Sequence, residues 1–145
     1  MVTYPYLDKN GKFDLKETLE VIGRLQPKDL ILIHPVAHNP TGIDPTPSEW
    51  REIAGAIKKA GVIAFLDLAF QGLASGSLEK DRFVMELFTE FDITMLIAQT
   101  YSKIMGVFGK KSFRIACKSY CYISLQDKGL ECSVLFALRV KALKK

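Results

Sequence analysis

Four side chains in this sequence could together do covalent carbonyl chemistry: Asn39, Asp67, Thr100 and Lys103. A lysine amine attacks a carbonyl carbon only when it is held close to it and partly stripped of water. A carboxylate can hold a proton on a ring nitrogen, an amide can donate to an oxyanion, and a hydroxyl can donate to phosphate oxygens. Taken singly, each residue is ordinary. Asn39 is a turn residue, Asp67 ends a strand or caps a helix, Thr100 is a satisfied hydroxyl and Lys103 a solvated charge. What matters is whether the chain carries them to one place.

Three apolar runs, each followed by one of these groups, argue that it does. Leu30–His34 (LILIH), Val62–Leu66 (VIAFL) and Thr94–Ala98 (TMLIA) read as strands buried on both faces of a parallel sheet. Between them lie helical patterns. Asp14 is placed to cap a helix carrying Leu15, Leu19 and Ile22 and ending near Arg24. Pro47, after the cap residue Thr46, opens a second helix through Ala60, stopped by Gly61, and Leu78–Glu90 reads as a third. Strand–helix–strand repetition predicts an α/β fold: three layers, a mostly parallel sheet and crossover helices. Phe113–Leu125 reads as one further strand and Val134–Lys145 as a basic helix.

Composition narrows the class. The 145 residues suit one ordinary domain, and 48% hydrophobic against 25% charged residues is a globular balance. No apolar run approaches the ~18 residues of a membrane span, and MVTYPYLDKN is not a signal peptide, so a cytoplasmic protein without membrane contact is expected. The net charge of +4 is uneven: +7 from Lys110 onward leaves −3 for residues 1–109. With no aromatic-basic motif beside it, that basic end does not predict nucleic-acid binding. Cys117, Cys121 and Cys132 lie in the same end without a neighbouring histidine, a poor zinc set that fits a reducing compartment. His34 and His38 are expected to be structural or supporting residues, not metal ligands.

Parallel strands bring their carboxyl ends to one edge, where open α/β sheets place their sites. Asn39, Asp67, Thr100 and Lys103 would converge there, and pyridoxal phosphate asks for such a set. Its aldehyde needs an amine, its ring nitrogen an anion, its phenolate oxygen a donor and its phosphate hydroxyls and cations. An aspartate following VIAFL is also expected to be poorly solvated, so that a cationic partner would help keep it ionised.

AHNPTGIDPTPSEW (Ala37–Trp50), FLDLAFQGLASGSLEKD (Phe65–Asp81) and AQTYSKIMG (Ala98–Gly106) resemble the aspartate aminotransferases of fold type I. The likeness runs from about Tyr4 to Phe108. It implies that Lys103 is the Schiff-base lysine and proton shuttle, and that Asp67 pairs with the pyridinium nitrogen. Asn39 would donate to the phenolate oxygen and position a substrate-binding arginine, and Thr100 would contact the phosphate. The implied reaction moves an amino group between L-aspartate and 2-oxoglutarate, in a homodimer whose sites are completed across the subunit boundary.

The sequence also departs from that pattern. Phe70 stands where the family has a tyrosine, removing a donor to the phenolate oxygen, and Ile104 replaces an asparagine. Lys110-Lys111 replaces Glu-Arg, so Lys111 keeps the phosphate-facing charge without the arginine fork. Residues 1–111 are therefore expected to form part of a cofactor-binding large domain. Residues 112–145 are expected to be a divergent basic tail, from an altered frame or alternative exon. The alternative to catalysis is a non-catalytic fragment or paralogue that acts as an interacting subunit.

Overall fold

The computed structural model describes residues 5–106 and two strands beyond them, Phe113–Cys117 and Cys121–Leu125. In chain order the elements are α1 (Leu15–Arg24), β1 (Leu30–Ile33), α2 (Pro47–Ala60), β2 (Ile63–Leu68), a 3-10 turn (Lys80–Arg82), α3 (Phe83–Glu90), β3 (Met95–Thr100), β4 (Phe113–Cys117) and β5 (Cys121–Leu125). The expected Val134–Lys145 helix lies outside the described residues.

Local chemistry sets the helix ends. The Asp14 carboxylate accepts the Glu17 N–H at 3.0 Å and starts α1. At α2, Thr46 Oγ1 accepts the Glu49 N–H while the Glu49 carboxylate accepts the Thr46 N–H at 2.7 Å, a reciprocal cap with Pro47 at the first helical position. Gly61, at φ 66°, ends α2 in a left-handed turn that a side chain would strain. The third helix begins at Phe83 and not at Leu78. Asp81 is buried and its carboxylate accepts the Gly72 N–H at 2.7 Å, so residues 77–82 close a loop before the helix starts.

The sheet has the order β1-β2-β3-β4-β5. The β1–β2 and β2–β3 pairings are parallel; β4 and β5 extend the sheet as an antiparallel hairpin on β3. Two short strands therefore stand where the sequence suggested one, and the sheet continues past residue 111.

One face of the sheet carries the core. Ile31 and Ile33 of β1, Ala64 and Leu66 of β2 and Met95 of β3 pack against Ile22, Trp50, Ile53, Ile57, Leu87 and Phe88 from all three helices. Along β2, Ala64, Leu66 and Leu68 are buried while Ile63, Phe65 and Asp67 are half-buried. Among the described residues the helices supply one of the two outer layers, which leaves the Asp67 face open. No helix among the described residues is long and apolar enough to cross a membrane.

Candidate active site

Each strand-end residue is held by a different local device. The backbone of residues 34–46 is folded over by Asp44, whose carboxylate accepts the Ala37 N–H at 2.7 Å and the His38 N–H at 2.8 Å. Those bonds sustain the left-handed backbone of Ala37 (φ 51°), a region that disfavours a side chain. The Tyr6 ring stacks on His38 at 3.5 Å and its hydroxyl donates to the Ile43 carbonyl at 2.8 Å, pinning the loop from above. Burial and the neighbouring His34 lower the His38 pKa from 6.5 to about 4, with Asp44 opposing the shift.

At the start of the same loop, the Asn39 N–H donates to His34 Nδ1 at 3.1 Å. With Nδ1 accepting, a neutral imidazole carries its proton on Nε2, and that atom stands 3.7 Å from Asp67 Oδ2. Asp67 lies inside β2, not after it, in register with Ala98 of β3. The Asp67 side chain keeps 44% of its exposure, so the expected poorly solvated carboxylate is corrected: the uncovered sheet face gives it water.

Lys103 follows the end of β3 in a turn closed by the Met105 N–H on the Tyr101 carbonyl at 2.9 Å. It is half-buried, and its Nζ lies 4.1 Å above the Phe70 ring centroid. Such a contact at a partly exposed site contributes about 0.5–1 kcal/mol.

His34, Asn39, Asp67, Phe70 and Lys103 line one cavity of about 70 Å³, together with Val36, Ala37 and Ala69. Thr100 closes β3 as its last residue, on the Asp67 face by register, but does not line this cavity. Lys111 lies outside the described residues. A second cavity of about 250 Å³, mostly apolar and floored by Ile22, Trp50 and Ile53, shares His34 and Asn39 with the first. His34 was expected only as a supporting residue, and Asp44, Tyr6, Gln71 and Gln99 went unremarked. An aspartate five residues after Asn39 in a turn-rich loop was the one available signal, because turn carboxylates commonly accept nearby backbone N–H groups.

The donor set suits pyridoxal phosphate. An amine for its aldehyde, a carboxylate for its ring nitrogen and an amide for its phenolate oxygen face a common space. No group of three or more His, Cys, Asp or Glu suited to a metal ion occurs among the described residues.

Comparison with known proteins gives the family. The sequence profile described as "Aminotransferase class I and II" matches residues 1–119. The chain belongs to that aminotransferase family. The match passes the expected limit at Lys111 and takes in β4. The mitochondrial aspartate aminotransferase of Gallus gallus is 37% identical over 118 residues, covering 79% of this chain and 28% of that enzyme. The broad specificity aminotransferase of Leishmania mexicana superposes with a TM-score of 0.76 at 35% identity, over 87% of this chain and 30% of the other. The aromatic-amino-acid aminotransferase of Burkholderia pseudomallei, solved covalently bound to pyridoxal phosphate, gives 0.75 at 25% identity, over 86% and 30%. This chain thus spans under a third of the length of the aminotransferases it resembles.

Proposed function

We propose that this chain carries the cofactor-holding half of an aspartate-type aminotransferase site, which exchanges an amino group between L-aspartate and 2-oxoglutarate. The observation that carries the proposal is the meeting of Asn39, Asp67 and Lys103 around one cavity. Pyridoxal phosphate, when bound, supplies an electron sink for negative charge at the substrate α-carbon.

The chain's own groups then have distinct tasks. Lys103 Nζ would hold the cofactor's carbonyl carbon, and as a free amine it would carry a proton to and from the substrate α-carbon. Asp67 holds the proton on the ring nitrogen, and His34 Nε2 faces the same carboxylate. The Asn39 amide donates to the phenolate oxygen. Phe70 offers a ring face where a hydroxyl would be a second donor there, so Asn39 carries that task without it. Thr100 and Lys111 are assigned to the phosphate: Thr100 by its place on the Asp67 face, Lys111 by the resemblance and its charge. Assembly as a homodimer and a cytoplasmic location belong to the same proposal.

The alternative of a non-catalytic subunit draws on one observation, the 28% of the Gallus gallus enzyme that this chain covers. Equilibrium dialysis against pyridoxal phosphate, with transamination assayed alone and with a full-length family member inactivated at its own lysine, separates the two. Saturable uptake lost in Lys103→Ala, with turnover in either assay, supports catalysis. Uptake with no turnover in either assay supports the subunit role, and no uptake at all rejects the cofactor site.

A further inference from the structure

Beside the cavity runs a chain of side-chain hydrogen bonds to which the proposed chemistry assigns no part. The Tyr101 hydroxyl donates to Gln99 Oε1 at 3.0 Å, and Gln99 Nε2 donates to Gln71 Oε1 at 2.9 Å. Gln71 Nε2 donates in turn to the Leu78 carbonyl at 3.1 Å. Each amide turns its carbonyl to one neighbour and its NH₂ to the next, so the donors and acceptors match along the whole run.

Its position is what gives it consequence. The β2–β3 ladder ends at the pair Leu68–Gln99. Past that point the two segments diverge into the loops that bear Phe70 and Lys103. Gln71 follows Phe70 directly, while Gln99 and Tyr101 lie four and two residues before Lys103. By register, Gln99 projects from the same sheet face as Leu68, opposite to the Asp67 face. The paired amides thus continue the strand-to-strand link beyond the backbone ladder, from the side away from the cavity. Across the same gap, the Lys103 ammonium meets the Phe70 ring at 4.1 Å.

We propose that Gln71 and Gln99 are positioning residues: their paired amides lock the loop after β2 to the end of β3 and so hold the Lys103 amine against Phe70, aimed into the cavity with Asp67. The functional meaning of that aim rests on the aminotransferase site proposed above. The positioning itself can be measured with no cofactor present.

Reductive methylation of the intact chain with ¹³C-formaldehyde puts observable methyl groups on Lys103 while keeping its positive charge. A methyl group held over an aromatic face is displaced upfield from the other lysine signals, and Phe70→Leu, which removes the ring, identifies that signal. Gln99→Leu and Gln71→Leu are each expected to remove most of the displacement, and the double variant to add little, since both cut the same link. Tyr101→Phe deletes a single hydroxyl and is expected to remove part of it. Should Gln99→Leu fail to fold, Gln71→Leu in the surface loop and Tyr101→Phe decide the matter. An undiminished displacement in the folded variants overturns the proposal. A wild-type displacement without pyridoxal phosphate capture at Lys103 would leave positioning standing and reject the cofactor site. Capture at Lys103 with the displacement unchanged in Gln99→Leu would do the reverse.

Discussion

The Nε2 atom of His34 stands 3.7 Å from Oδ2 of Asp67 while its Nδ1 receives the backbone N–H of Asn39. One imidazole therefore joins the first strand end to the second. The separation is longer than a hydrogen bond, so the neutral ring, with Nδ1 accepting and Nε2 carrying the proton, offers Asp67 its N–H dipole directly or through a bridging water. In that form it fixes where Asn39 and Asp67 sit relative to each other.

His34→Ala is expected to cost about 0.5–1.5 kcal/mol, the worth of one ordinary hydrogen bond at a partly exposed site. Urea unfolding followed by the fluorescence of Trp50, the single tryptophan, measures it. The same variant should slow pyridoxal phosphate uptake through Lys103, because His34 sets the positions of Asn39 and Asp67 at the cavity it shares with the lysine.

Acid should weaken the loop over the site. The folded-state pKa of His38 is lowered from 6.5 to about 4, so between those values the unfolded chain binds more protons than the folded one. The stability His38 contributes is present above about pH 6.5 and is lost as pH falls toward about 4. Screening at this partly exposed ring limits the effect to the order of 1 kcal/mol. Denaturant midpoints for wild type and His38→Phe check it, the phenylalanine keeping a ring against Tyr6 and removing the slope.

Thr46→Ala removes one half of the reciprocal cap at α2 and should cost about 1 kcal/mol. Because Trp50 sits one turn inside that helix, its fluorescence reports the fraying directly. Thr46→Ser should recover most of the loss.

Asp81→Ala should loosen the loop that carries Phe70 and Gln71. The buried carboxylate accepts the Gly72 N–H, and without it that donor is left unmade at a cost of about 1–3 kcal/mol. Limited proteolysis should then show faster cleavage within residues 70–82, with α2 and the sheet unaffected.

The parts of this molecule legible in the sequence are those set by neighbours in the chain. The bounds of α1 and α2 follow from Asp14, Thr46, Pro47 and Gly61, and the apolar runs mark β1, β2 and β3. The strand ends slipped because a run such as VIAFL records burial, not pairing. Asp67 is a strand residue since the ladder from Ala64–Met95 to Leu68–Gln99 runs beyond the apolar segment, and Thr100 is one because it pairs with Phe113 of β4. The late start of α3 was hidden for a similar reason: Asp81 reads as a first-turn helix residue until its carboxylate is seen bonding Gly72, nine residues back. The meeting of residues 39, 67 and 103 was anticipated from topology. The bridging His34 was not, because nothing local records that its ring spans two strands.

The account stands or falls on where pyridoxal phosphate attaches. Incubation of the whole chain with the cofactor, borohydride reduction and peptide mapping give the answer at residue level. Label concentrated on Lys103, abolished by Lys103→Ala and reduced by Asp67→Ala, is the predicted result. Label spread over the lysines according to their exposure, with Lys103 no more reactive than Lys9 or Lys59, would contradict it.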